Sequence, residues 1–154
     1  MSEIDTFLSH RPRSDLYLEA IAYRASLFEQ TGDLRRARQD FLAAHELSRP
    51  DSYSRYTLEL SLGDLAERVG KEEEARGYYI QALRTVEADS KTSGATTILR
   101  LLQLKSFQDL SASEHALVRR EIEQSWQLFD LAGEPDLIKI EDVLKTLLEA
   151  QSRP

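Results

Sequence analysis

The chain has 154 residues, of which 41% are hydrophobic and 31% charged, and its 27 acidic and 20 basic side chains give it a net charge of −7. This length suits one domain, and the apolar fraction is high enough for a core and too high for a disordered chain. The absence of cysteine excludes disulfide bonds and thiolate zinc sites. No apolar run reaches the ~20 residues of a membrane helix, and the N-terminus lacks a secretory pattern, so we expect a cytoplasmic protein without membrane insertion.

Long stretches without glycine or proline predict helices in the first half of the chain. Apolar residues recur at steps of three and four in three segments, which are 14–30, 34–47 and 52–69. Gly32 and Gly70 close the first and third segments, and the carboxylate of Asp33 is placed to cap the second. A fourth helix is predicted over 72–88, before a polar loop.

The second half of the chain predicts three more helices. The fifth covers 95–108, and the sixth runs from 111 to 131, where Ser111 and Glu114 have the spacing of a capping box. A seventh is predicted over 135–151, after a glycine and a proline. Since no segment alternates polar and apolar residues between turns, we predict an all-α fold of about seven helices. Residues 1–13 are expected to form a flexible arm before a single domain at 14–151.

An internal repeat organises the first four helices. Shifting the chain by 38 residues superposes small residues on small residues, a turn glycine on a turn glycine and an aromatic residue on an aromatic residue. The superposed pairs are Ala25 and Gly63, Gly32 and Gly70, Ala37 and Ala75, Phe41 and Tyr79, and Ala44 and Ala82. Small side chains at these positions let two antiparallel helices approach closely, and the aromatic ring fills the remaining gap.

This pattern resembles the tetratricopeptide repeat (TPR), whose units carry a small residue in the first helix, a turn glycine and Ala-x3-aromatic-x2-Ala in the second helix. The resemblance implies a right-handed solenoid of antiparallel helix pairs. Its parts would be repeat one at 14–50, repeat two at 51–88, a degenerate third pair at 95–131 and a capping helix at 135–151. Ile21 and Glu59 occupy the family's tryptophan position, and Arg24 occupies a position where leucine is usual.

The resemblance also implies a binding surface, because the first helices of such repeats line a concave face that holds a peptide or partner helix. The corresponding positions here are Glu19, Ala22, Ser26, Glu29, Gln30, Thr57, Leu60, Asp64, Glu67 and Arg68. Family members that grip a terminal carboxylate use a basic clamp, but Ala22, Ser26, Leu60 and Ser61 stand at its first sites. The acidic groove instead favours a basic or amphipathic segment.

The expected function is therefore that of a non-catalytic interaction module, such as an adaptor, co-chaperone or regulator. The alternative is a scaffold protein that forms homodimers. The three histidines lack metal-ligand spacing, and neither a phosphate-binding glycine loop nor a nucleophile elbow is present, so no enzyme activity, metal or cofactor is predicted. His45 is interpreted as a cation near the negative end of a helix dipole. The acidic net charge disfavours nucleic acid.

One segment, 130–141, is similar to a calcium-binding EF-hand loop. Asp130, Glu134, Asp136 and Glu141 stand at ligand positions of such a loop. However, Ala132 removes one oxygen ligand, and Pro135 replaces the glycine that the sharp turn needs. The favoured interpretation is a turn between helices, and calcium binding is the lesser alternative.

Overall fold

The computed structural model describes residues 2–9, 15–88 and 94–132. These residues form seven α-helices and one short 3-10 helix, Lys105–Asp109, and no β-strand occurs among them. The α-helices are α1 (Ser2–Ser9), α2 (Asp15–Gln30), α3 (Leu34–Leu47), α4 (Tyr53–Arg68), α5 (Glu72–Ala88), α6 (Ala95–Gln103) and α7 (Ala112–Ala132). The prediction of an all-α fold is confirmed for this part of the chain. None of its helices is both long enough and apolar enough to cross a membrane.

Consecutive helices pack as pairs, as predicted. Helix α2 packs against α3, α4 against α5, and α6 against α7. Helix α3 also contacts α4, and α5 contacts both helices of the third pair, so the pairs are stacked on one another. Because only three residues separate the helices within each of the first two pairs, those helices run antiparallel.

The turns of the first two pairs have the same geometry. Gly32 and Gly70 adopt the left-handed conformation, with φ of +83° and +75°. The amide after each glycine donates to the carbonyl five residues earlier, at 2.9 Å both for Asp33 to Phe28 and for Lys71 to Ala66. This is the hydrogen bond of a glycine-terminated helix end, and it recurs at an offset of 38 residues. The two turn glycines predicted from the sequence are therefore confirmed.

The small residues of the repeat lie at helix contacts. Five alanines at these positions are fully inaccessible: Ala25, Ala37, Ala44, Ala75 and Ala82. Gly63 lies against the ring of Tyr79, so closely that a Cβ atom on Gly63 would be 2.3 Å from Tyr79 Cε1. Phe41, the aromatic residue of the first pair, is 2% exposed. In the second pair the backbone at Gly63 thus approaches closely and the Tyr79 ring fills the gap, and the first pair buries small and aromatic residues at the corresponding positions.

Two apolar cores meet at α4. The first joins α1, α2, α3 and α4 around Phe28, Phe41 and Leu62. The second joins α4, α5, α6 and α7 around Tyr79 and Leu101. Each fully buried leucine or phenylalanine contributes about 2 kcal/mol to the free energy of unfolding. Helix α4 is therefore the element through which the two halves of the described chain stabilise one another.

The N-terminal residues differ from the sequence prediction of a flexible arm. Ser2–Ser9 form helix α1, and Leu8 is buried in the first core with Ile4 packed beside it. The carboxylate of Asp5 pairs with Arg24 at 2.8 Å. The spacing of Ile4 and Leu8 explains the difference, because residues four apart share one side of a helix.

The third pair also departs from the predicted bounds. Helix α6 ends at Gln103 rather than at residue 108, and the 3-10 helix follows. This break lets Leu104 and Leu110 both enter the second core. The same segment is held on α5, since Arg76 donates to the Ser106 carbonyl at 3.1 Å and the Ser106 amide donates to Glu72.

The predicted capping box at the start of α7 is confirmed. The amide of Ser111 donates to the Glu114 carboxylate at 2.7 Å, and the Glu114 amide donates to Ser111 Oγ at 3.3 Å. The Ser111 hydroxyl also donates to the Glu114 carboxylate, at 2.7 Å, and this hydrogen bond, together with that from the Ser111 amide, lowers the pKa of Glu114. The predicted capping helix at 135–151 lies outside the described residues.

Candidate functional site

The α2/α4 face comprises the ten predicted binding positions: Glu19, Ala22, Ser26, Glu29, Gln30, Thr57, Leu60, Asp64, Glu67 and Arg68. None of these residues is buried, and four of them are exposed: Glu19, Gln30, Glu67 and Arg68. The two helices are held together behind this face by the first core, to which Ile21, Ala25 and Leu62 contribute. The sequence therefore identified a set of accessible side chains on two joined helices.

Ion pairs connect the α2/α4 face from helix to helix. Arg68 Nη1 lies 2.8 Å from Glu29 Oε1, which joins α4 to α2. Arg100 Nε lies 3.0 Å from Asp64 Oδ1, which joins α6 to α4. In each pair the acid is on the earlier helix and the arginine on the later one. Sequence reasoning missed Arg100, because it belongs to the third pair, where the repeat pattern fades.

A buried tyrosine fixes the middle of the face from behind. The Tyr79 hydroxyl donates to Asp64 Oδ1 at 2.7 Å and lies 3.1 Å from Glu67 Oε2. Burial raises the pKa of Tyr79 well above its ordinary value, and the two carboxylates raise it further, so the hydroxyl stays protonated. Asp64 therefore has two fixed partners, Tyr79 and Arg100.

The charge of the α2/α4 face is smaller than the sequence suggested. The face itself has four carboxylates (Glu19, Glu29, Asp64 and Glu67) and one guanidinium group (Arg68), and the adjoining Arg100 of α6 reduces its net charge from −3 to −2. Glu19 has no ion-pair partner among the described residues. It also lines a recess of 160 Å³ at one end of the face, together with Leu18, Leu47, Ser48, Arg49, Ser52 and Ser54.

The hydroxyl groups of the face bond to their own helices. Ser26 donates to the Ala22 carbonyl at 3.2 Å, and Thr57 donates to the Ser54 carbonyl at 2.9 Å. Both hydroxyl oxygens keep lone pairs that can accept hydrogen bonds from a ligand. The face thus offers mainly acceptors, with Arg68 and Gln30 as its donors.

A second polar cluster, buried behind α4, was missed by the sequence interpretation. Glu59 is 2% exposed, and its carboxylate accepts hydrogen bonds from Thr85 at 2.7 Å and from Arg55 at 3.2 Å. His45 Nε2 lies 3.1 Å from the same carboxylate. His45 is therefore a partner of Glu59 and not only a residue at a helix end. The i, i+4 spacing of Arg55 and Glu59 was the signal available in the sequence.

Arg24 forms another interhelical cluster. Its guanidinium pairs with Asp40 of α3 at 2.7 Å and with Asp5 of α1 at 2.8 Å. The Asp40 hydrogen bond is the main reason why the pKa of Arg24 is raised. This charged side chain is accommodated between three helices because two carboxylates neutralise it.

No group of three or more His, Cys, Asp or Glu side chains that could hold a metal ion occurs in the described part of the chain. The loop 130–141 falls mostly outside that part, since only residues 130–132 belong to α7. Its glutamates and Asp136 are beyond the described residues.

Comparisons with known proteins give a fold likeness alone. The sequence matches no family model and no curated protein. The structure is similar to a crystal structure of BtubC (BKLC) from P. vanneervenii, with a TM-score of 0.56 and 19% sequence identity. The match covers 90% of this chain and 64% of that one, so the chain spans less than two thirds of the BtubC chain. At this identity, the two proteins share an arrangement of helices, and nothing about activity follows.

Proposed function

We propose that this protein is a non-catalytic interaction module built from TPR-like repeats, and that its α2/α4 face binds a segment of a partner protein. The observation that supports this most is the repeated unit itself. The two helix pairs have the same turn hydrogen bonds and the same buried alanines, and α2 and α4 carry ten accessible side chains. A face whose backbone is held rigidly loses little entropy when a ligand binds to it.

The charge of the face defines the partner. With a net charge of −2 and two of its acids already paired with arginines, the face suits an amphipathic segment with one or two basic residues rather than a polybasic one. Glu19 and Glu67 are the acids that lack an arginine partner among the described residues. The recess beside Glu19 can hold one side chain of the same segment.

The buried His45–Glu59 cluster does not suggest catalysis. Glu59 is 2% exposed and accepts hydrogen bonds from Thr85 and Arg55, so a substrate has no access to its carboxylate. Glu59 stands at the position where TPR units have tryptophan. Its contacts with His45 and Thr85 join α3, α4 and α5. Its role in the proposal is to hold α4 in position.

Affinity capture from the native lysate, followed by quantitative mass spectrometry, tests the proposal. The face variant is Glu19→Lys with Gln30→Lys, because both residues are exposed and neither is in an ion pair described here. The control is Glu46→Lys with Gln39→Lys, which makes the same charge change at exposed positions of α3. We expect a partner that the wild type and the control retain and the face variant loses. Equal retention by all three proteins would refute the assignment of the face.

Homodimerisation is the second candidate, and one observation favours it. Leu16 and Tyr23 are 63% and 60% exposed, and their spacing of seven residues places them on one side of α2. Sedimentation equilibrium decides the matter. Association that Tyr23→Ser abolishes would support a dimer through α2, and a monomer at high micromolar concentration would remove this candidate.

A further inference from the structure

A pocket lies on the turn edge of the stacked pairs, and no residue of the α2/α4 face lines it. It has a volume of about 260 Å³ and is formed by the start of α3, the end of α4 and the start of α5. Its apolar lining comes from Leu34, Leu65, Ala66 and Val69, and its charged rim from Arg35, Arg38, Lys71 and Glu74. We call these eight residues the turn-edge pocket.

The apolar lining of the pocket is open to solvent at Val69, whereas Leu65 and Ala66 are buried. Val69 is 47% exposed, although Leu65, one turn earlier on α4, is only 2% exposed. An exposed valine beside a concave apolar surface loses unfavourable contact with water when another apolar group covers it. The pocket is smaller than the ~300–1,000 Å³ of typical small-molecule sites, so its size suits one side chain of a partner rather than a cofactor.

The rim of the pocket is positive, in contrast to the chain as a whole. Arg38 donates to Glu74, and Lys71 Nζ lies 3.2 Å from the other oxygen of the same carboxylate. Arg35 is exposed, and it forms no ion pair within the part of the chain that the structure describes. Three cations and one shared carboxylate give the rim a net charge of +2, in a protein whose net charge is −7.

The two acids that precede Glu74 in the sequence do not line the pocket. Glu72 accepts a hydrogen bond from the Ser106 amide, on the segment after α6. A positive rim around an apolar surface is complementary to an apolar side chain flanked by carboxylates.

We propose that the turn-edge pocket binds a leucine- or phenylalanine-sized side chain of an acidic segment in a partner protein. The apolar lining takes the side chain, and Arg35, with Arg38 and Lys71, attracts the flanking carboxylates. The pocket is a second interaction surface, independent of the α2/α4 face and opposite to it in charge preference. An acidic segment is repelled by the α2/α4 face, so the two surfaces select different ligands.

The test is an NMR titration of the ¹⁵N-labelled full chain with the synthetic peptide Gly-Glu-Asp-Phe-Glu-Asp-Gly. We expect shift changes centred on the amides of Leu34, Val69 and Lys71. A peptide with serine in place of phenylalanine and a peptide with lysine in place of each acid are both expected to bind at least about tenfold more weakly. Arg35→Glu is expected to lower the affinity for the phenylalanine peptide by a similar factor. Arg84→Glu, the same change at an exposed site of α5, is expected to leave the affinity unchanged.

Several results would overturn the proposal. They are the absence of shifts at millimolar peptide, shifts centred elsewhere, equal binding of the serine peptide, and equal weakening by Arg84→Glu. A separate titration with decanoate, a small anionic amphiphile, tests whether the pocket takes such a molecule instead of a peptide. If decanoate shifts the pocket amides and the peptide does not, the pocket takes a small anionic amphiphile and the peptide proposal fails. The variant Glu19→Lys with Gln30→Lys is expected to bind the phenylalanine peptide at least as well as the wild type, which separates this test from that of the α2/α4 face.

Discussion

Substitution of Gly63 by alanine tests the close packing that defines the repeat. In the structure, a Cβ atom at this position would lie 2.3 Å from Tyr79 Cε1 and 2.7 Å from Cδ1, whereas ordinary contacts are 3.4–4 Å. The ring would have to move by about 1 Å. It has no room to do so, because Tyr79 is fully inaccessible and its hydroxyl is held by Asp64 at 2.7 Å.

The expected free-energy change is the balance of two effects. Alanine in place of glycine inside a helix stabilises by about 1 kcal/mol. Overpacking of a filled core destabilises by about 1–3 kcal/mol, and the severity of this clash places it at the upper end. We therefore expect Gly63→Ala to lower the free energy of unfolding by about 2 kcal/mol, which corresponds to a fall in Tm of about 4–8 °C for a chain of this length.

Gly77 provides a matched control. It lies inside α5, and an added Cβ would meet no atom within 4 Å. Gly77→Ala is therefore expected to raise the free energy of unfolding by about 1 kcal/mol, because the helix-propensity term acts alone. Urea denaturation followed by circular dichroism measures both variants. If Gly63→Ala is as stable as the wild type, or as stabilised as Gly77→Ala, the close-packing argument is wrong.

Three further predictions concern hydrogen bonds. Thr85→Val, which removes the hydroxyl that donates to buried Glu59 at 2.7 Å, is expected to cost about 2 kcal/mol in urea denaturation, and a change near zero would contradict it. Tyr79→Phe is expected to cost about 1–2 kcal/mol, because Asp64 loses one of its two partners, and unchanged stability would mean that the hydroxyl contributes nothing. Ser111→Ala is expected to raise the pKa of Glu114 toward its ordinary value, as read by NMR titration. Because the folded-state pKa of Glu114 is lowered, its contribution to stability is present above the unfolded-state pKa and is lost as the pH falls through the folded-state pKa. In Ser111→Ala, the free energy of unfolding should therefore fall less over this pH range than in the wild type.

Local sequence features predicted much of the fold. The positive φ angles at Gly32 and Gly70, the buried alanines and the capping box at Ser111 each depend on residues a few positions apart, so spacing alone revealed them. Helix α1 was missed because it is short, and its stability comes from packing of Leu8 against the first core. A helix of eight residues has little tendency to form alone.

The candidate site could be predicted only as a list of positions. The partners of its charged groups are far apart in sequence, since Asp64 and Arg100 are separated by 36 residues and Glu59 and Thr85 by 26. Residue spacing within a helix cannot predict contacts between residues so far apart in the sequence, because these contacts depend on how one helix pair stacks on the next. For this reason the sequence indicated an acidic groove, whereas the structure has carboxylates largely paired with arginines and a tyrosine.

The most direct test of the binding proposal is to map the site of a partner segment on this protein. The segment is one from the captured partner, and the measurement is the change in backbone amide shifts of the ¹⁵N-labelled chain on titration. The account predicts changes concentrated in α2 and α4, around Glu19, Gln30 and Glu67, and their loss in the variant Glu19→Lys with Gln30→Lys. Changes confined to α3, α7 or the turn-edge pocket, unaffected by that variant, would contradict the assignment of the α2/α4 face.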